Sequence, residues 1–159
     1  MRAFDHPTPQ YKRILVPTDG SDGARHAAVA AAELARISGG RVIALQVLEP
    51  ETADAEALGY TGMIGVPPLE AVLVDPMPRG EDHALGAVEA VARRHGVPVD
   101  SEQVVDAKPA RAIAEMAGHM HCDLIVMSSH GYGGALSLFT GSTTAKVVSE
   151  CAVPVLVVQ

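Results

Sequence analysis

Short apolar runs alternate with stretches of helical period along nearly the whole chain, and Gly, Pro or small polar clusters mark each change of period. Arg13-Ile14-Leu15-Val16-Pro17 stops at Thr18-Asp19-Gly20-Ser21-Asp22-Gly23, as a buried strand followed by a turn does. Asp22 to Ser38 then places Ala27, Ala31, Leu34 and Ala35 on one face and Arg25, Glu33 and Arg36 elsewhere, the period of an amphipathic helix. Ser21 suits its N-cap and Gly39-Gly40 its end. Val42 to Leu48 is a second apolar run, closed by Glu49-Pro50. Helical spacing resumes from Glu81 to His95 through Leu85, Val88, Val91 and Ala92, and Gly96 is a natural stop.

The second half repeats the rhythm. Gln103-Val104-Val105 is a short strand candidate, and Pro109 opens a helix through Ile113, Met116 and Ala117 whose last turn carries His119 and His121. Leu124-Ile125-Val126-Met127 reads as the central strand of a sheet covered on both faces. A Gly/Ser-rich stretch follows. Gly141-Ser142-Thr143-Thr144 opens a short helix to about Glu150 with Val147 and Val148 inward, and Pro154 to Val158 is a closing strand. Four βα units and a final β strand demand right-handed crossovers and an all-parallel sheet in a three-layer α/β domain. The expected organisation is a polar tail over 1–11 and one domain over 12–159, with a long loop rich in acidic residues, Gly and Pro at 50–79.

Composition narrows the function. The chain has 12 Lys and Arg against 19 Asp and Glu, a net charge of −7, which opposes binding to nucleic acid or to an anionic membrane. Trp is absent, and Tyr and Phe are too few for platforms that stack single-stranded bases. No run of about 18 apolar residues is present to cross a bilayer, and the polar first ten residues do not resemble a signal-peptide core. A cytoplasmic protein is therefore expected. Cys122 and Cys151 have no CxxC spacing and read as buried structural thiols. His119, His121 and Cys122 make a poor metal site, because side chains two positions apart leave a helix on different faces.

In an open parallel sheet, ligands bind beyond the carboxyl ends of strands where the winding reverses. Two segments qualify: Pro17 to Gly23, and Ser128-Ser129-His130-Gly131 through Gly141-Ser142-Thr143-Thr144. Small residues let main-chain N–H groups approach an anion, and a helix start adds donors and the positive end of a dipole. This is the composition of a phosphate cradle. Asp19 faces the same edge, and a carboxylate beside phosphates calls for a divalent cation or a ribose hydroxyl between them. A nucleotide with Mg²⁺ answers both requirements. The P-loop string GxxxxGK[ST] does not occur, and only Gly20 and Gly23 stand where a dinucleotide fingerprint would lie, although Glu49 is well placed for a ribose contact. No nucleophile with an evident base partner stands near His130, so no catalytic residue is assigned and slow nucleotide hydrolysis is the most that is expected.

These residues resemble the ATP-binding branch of the universal stress protein family. That branch carries a glycine, two residues, a glycine, nine residues, then Gly-Ser or Gly-Thr, read here as Ser128, Ser129-His130, Gly131, Tyr132 to Thr140 and Gly141-Ser142. Ile14 to Ser21 is similar to the family's opening and Cys151 to Val158 to its close. The resemblance implies a Rossmann-like sheet of the adenine nucleotide alpha hydrolase type with strand order 3-2-1-4-5. It also implies ATP, ADP or AMP as ligand and a role as stress-response switch or sensor. Asp19 would lie near adenosine and Mg²⁺, held directly or through water, Val47 would offer main-chain bonds to adenine, and Gly131, Ser142 and Thr143 would meet phosphates. Pro17, Thr18, Met127, Ser128, His130, Gly141 and Thr144 complete the expected nucleotide-binding set. Ser128 stands where the pattern has its first glycine, and Tyr132 where relatives are often basic, which leaves His130 and Lys146 as the nearest cations. The family's dimers imply a homodimer through strand 153–158, an apolar edge that invites pairing. Two other readings remain open: a nucleotide-free dimeric protein that regulates a protein partner through the 50–79 loop, and a slow Mg²⁺-dependent hydrolase built on Asp19.

Overall fold

The computed structural model describes residues 10–49, 83–129 and 143–159. Nine elements alternate along these residues: β1 (Arg13–Pro17), α1 (Asp22–Ser38), β2 (Arg41–Leu48), α2 (Ala84–Arg94), β3 (Val99–Val105), α3 (Pro109–His119), β4 (Leu124–Ser128), α4 (Thr143–Glu150) and β5 (Val155–Val158). The strands form one sheet of order β3-β2-β1-β4-β5, and every adjacent pair is parallel. The strand order implied by the family resemblance is thus the one observed.

Strand side chains alternate between two cores. Ile14, Val16, Val42, Ala44, Leu124 and Val126 pack under α1 and α2. Leu15, Ile43, Leu45, Ile125 and Met127 pack under α3 and α4. The alanines of α1 explain its close approach to the sheet: Ala27, Ala28, Ala31 and Ala35 are at most 1% exposed. A row of methyl-sized side chains lets the helix backbone come down on the strands with little rotamer entropy to lose. Ser21 caps α1 by accepting a hydrogen bond from Ala24 N–H, and Gly39, at φ +63°, turns the chain out of the helix.

β5 begins at Val155, one residue after the expected start, and other placements also differ from the sequence reading. β3 begins at Val99, ahead of Gln103. It is an edge strand beside β2 alone, so Asp100 and Glu102 stand exposed within it and give no apolar run to recognise. Val147 is fully buried, whereas Val148 is 51% exposed, because adjacent residues on a helix point about 100° apart and a short helix on a sheet buries one narrow stripe. His121 lies past the end of α3 with φ 53°, so only His119 belongs to the last turn. All of the expected 50–79 loop, residues 1–9 of the expected 1–11 tail and the start expected for α2 at Glu81 lie outside the described residues.

The amino edge of the sheet is fastened at β1 and β4. The Asp123 carboxylate accepts the main-chain N–H groups of Lys12, at 2.7 Å, and of Arg13, at 3.1 Å. Asp123 N–H donates to Arg13 C=O at 3.0 Å, and Arg13 Nε donates to Met120 C=O at 2.8 Å.

Candidate functional site

The opposite edge is open at the same pair of strands. β1 and β2 stay registered to the end, Pro17 opposite Leu45, and β4 and β5 to Ser128 opposite Val158. Between β1 and β4 the register holds only Ile14 with Leu124 and Leu15 with Ile125. The two strands therefore part before their carboxyl ends. This is also where the chain order reverses, the place at which a doubly wound sheet forms a ligand crevice.

On the β1 side, Pro17 ends the strand, and buried Thr18 donates its N–H to Leu45 C=O at 2.8 Å. The Thr18 hydroxyl accepts Gly20 N–H at 3.2 Å and reaches Ala84 C=O at 3.4 Å. Gly20 sits at φ +84°, a backbone that favours glycine. Asp19 is exposed, and its Oδ1 accepts Ser21 N–H at 2.9 Å. It thus shapes the turn into α1, the local-cap role open to it from the sequence, and stands exposed just past the carboxyl end of β1.

Val47 is placed by the alternation of β2. Arg41 N–H and Leu45 C=O bond to β1, at Lys12 C=O and Thr18 N–H, whereas Val42 N–H and Leu48 C=O bond to the β3 side, at Pro98 C=O and Asp106 N–H. By the same two-residue period, the N–H and C=O of Val47 face β1, one step past the last rung. A main-chain donor and acceptor at that spot match the edge of a planar heterocycle. Glu49 follows β2 at the same edge and is exposed.

On the β4 side, Met127 is buried in the core that supports the crevice floor. Ser128 ends the strand, and its C=O accepts the Thr144 hydroxyl at 2.8 Å. Thr143 starts α4 and is exposed. Pro17, Thr18, Asp19, Val47, Met127, Ser128, Thr143 and Thr144 thus come to one edge of the sheet. His130, Gly131, Tyr132, Gly141 and Ser142 lie outside the described residues. Sequence reasoning missed the bond between Thr144 and Ser128: hydroxyl residues at a helix start were legible, but not which of them turns back to the strand.

A cation at Asp19 would find few protein ligands, since among the described residues no three His, Cys, Asp or Glu side chains gather to hold a metal. Mg²⁺ commonly takes one or two carboxylates and completes its shell with phosphate oxygens and water. Asp106, at the end of β3, is committed elsewhere. The guanidinium of Arg111, at 2.8 Å, and the N–H of Lys108, at 2.7 Å, hold its carboxyl below the usual carboxylate range.

The two thiols differ. Cys122 is buried, while Cys151, expected to be buried as well, is only partly so, because it follows α4 at the margin of the core. Burial, opposed by Arg13 and reinforced by Asp123 and Cys151, pushes the Cys122 thiol up to about 11 from an ordinary 9.0. Thiolate is the reactive form, so iodoacetamide at pH 8 is expected to modify Cys151 well before Cys122 in the folded protein, with both labelled in denaturant. Because the folded value lies above the unfolded one, the protonated thiol favours the native state. That contribution is complete below pH 9 and is lost as pH rises toward 11.

Comparisons with known proteins agree with this architecture. The sequence model of the universal stress protein family matches residues 10–159. A universal stress protein of Thermus aquaticus is 36% identical over 149 residues, covering 94% of this chain and 99% of the relative. One from Methanocaldococcus jannaschii is 31% identical over 151 residues, covering 94% and 82%. Among solved structures, a universal stress protein in complex with cAMP superposes with a TM-score of 0.66 at 24% identity, covering 94% of this chain and 98% of that one. One from Archaeoglobus fulgidus in complex with dAMP gives 0.62 at 22% identity, covering 94% and 99%.

Proposed function

This chain belongs to the universal stress protein family, and on that premise we propose that it binds an adenine nucleotide, ATP, ADP or AMP, in the β1–β4 crevice as a cytoplasmic stress-response switch or sensor. The observation that carries the reading is the early parting of β1 and β4, with the Asp19 turn on one lip and Ser128 with the start of α4 on the other. Two relatives of the same fold were solved with cAMP and with dAMP, which supports adenine as the base. Val47 would take adenine through main-chain atoms. Thr143, together with Gly131, Gly141 and Ser142 of the matching motif, would take phosphates, with His130 beside them. Pro17, Thr18 and Met127 would line the floor. Asp19 would hold Mg²⁺, directly or through water, and the ion would neutralise phosphate charge beside the carboxylate. No residue here is assigned to activate water, so turnover, where present, is slow.

Nucleotide at a hundred times its dissociation constant should stabilise the protein by about 2.7 kcal/mol, a rise of several degrees in Tm. Asp19→Ala should remove most of that rise for ATP with Mg²⁺. A variant that keeps the full rise places the ligand elsewhere, and silence in both calorimetry and the melt for the native chain ends the nucleotide reading.

We also propose a homodimer paired along 153–158, that is β5 (Val155–Val158) and the two residues ahead of it. Leu156 and Val157 point to opposite faces of this edge strand and are each 40% exposed. Leu156 shares an apolar groove with Val29 and Ile37 of α1, and exposed Val148 lies on α4, the helix packed on the Val157 side. A second copy would cover both faces while satisfying the strand edge. Light scattering of the eluted protein should give twice the chain mass, and the mass of one chain would refute the dimer.

A further inference from the structure

Thr144 plays a different part in the nucleotide reading, on which this inference rests, from the one its place in the motif suggests. Thr144 Oγ1 lies 2.8 Å from the main-chain oxygen of Ser128. A carbonyl oxygen only accepts, so the one proton of the hydroxyl is committed to it and the group turns only lone pairs toward anything else. Lone pairs facing a phosphate repel it. Thr144 as placed is therefore no phosphate donor, although its position in the motif invites that role.

The bond fastens the second residue of α4 to the last residue of β4, across 16 positions of sequence. The described part of α4 is eight residues long, far below the length at which a helix holds together on its own in water. Val147 is the one buried residue among these, and it anchors the second turn to the core beneath α3 and α4. The Thr144 hydroxyl anchors the first. The first N–H groups of a helix have no partner within it, and Thr143 and Thr144 carry theirs near the carboxyl end of β4, on the lip of the crevice.

We propose that Thr144 is a positioning residue: its hydroxyl holds the amide groups at the start of α4 against the end of β4, and so sets affinity for the phosphate of the ligand without setting affinity for the base. Thr144→Val keeps the β-branched shape and removes only the bond. Thr144→Ser keeps the bond.

Isothermal calorimetry of the full chain with AMP, and protein-observed NMR titration with adenosine, separate the two effects. Thr144→Val should raise the Kd for AMP about five- to tenfold, the scale of one net hydrogen bond, and leave that for adenosine within about twofold. Thr144→Ser should return AMP to within about twofold of the native value. Should the Val variant not fold, Thr144→Ala read on the same two ligands carries the test. Unchanged AMP binding in the variant, equal loss of AMP and adenosine, or failure of Ser to rescue would each overturn the positioning role. Native protein that binds neither ligand would remove the nucleotide reading, and this inference with it.

Discussion

Gly40→Ala should destabilise the protein by about 3 kcal/mol, the upper part of the range for overpacking a tight site. A Cβ at Gly40 would stand 2.6 Å from Tyr11 C=O and 2.9 Å from both the Cα and the C=O of Lys12. All three are backbone atoms entering β1, and Lys12 C=O already accepts Arg41 N–H at 2.9 Å. Neither partner can swing aside as the end of a flexible side chain could, so the β1–β2 rung must open or the end of α1 must shift. Gly96 is the control. It sits at φ +67° with nothing within 4 Å of the point a Cβ would occupy, so Gly96→Ala meets only the left-handed penalty of an L-residue, about 1 kcal/mol. Urea denaturation of both variants gives the two values. Equal losses would show that the contact at Gly40 relaxes at little expense.

Ile125→Ala is expected to cost about 4 kcal/mol, within the range for truncating a fully buried aliphatic side chain. Ile125 is completely buried in the core that also holds Ile113 and Ala117 of α3 and Val147 of α4. It lies between Leu15 on β1 and Val155 on β5, so strands on both sides limit how far the site can collapse. The loss should appear as a lower urea midpoint with an unchanged m-value. A loss under about 1 kcal/mol would mean that α3 and α4 settle into the space, and that this layer is looser than the packing indicates.

Much of the fold was legible because parallel strands buried on both faces leave uniform apolar runs, as in Ile14-Leu15-Val16 and Leu124-Ile125-Val126-Met127. The limits of α1 were equally plain, since Ser21 caps it and Gly39 ends it by means visible in their chemistry. β3 was cut short because an edge strand need not be apolar, and Val148 was misplaced because a short helix carries too few turns to define its face. At the candidate site, the need of a phosphate for small residues and a helix start points to Asp19 and the Ser128–Thr144 segment, of which 130–142 lie outside the described residues. That Val47 faces past the last rung, and that Thr144 turns back to Ser128, depend on register and on a contact across 16 positions, which no local pattern encodes.

The short seam between β1 and β4 has a mechanical consequence. β3, β2 and β1 make one leaf and β4 with β5 the other, bound together like a book along a brief spine whose stitching is the Asp123 carboxylate at the amino end. A load that pulls the leaves apart meets two strand rungs, that stitch, and α1, which packs on strands of both leaves. A molecule wedged between the open covers would touch both leaves at once.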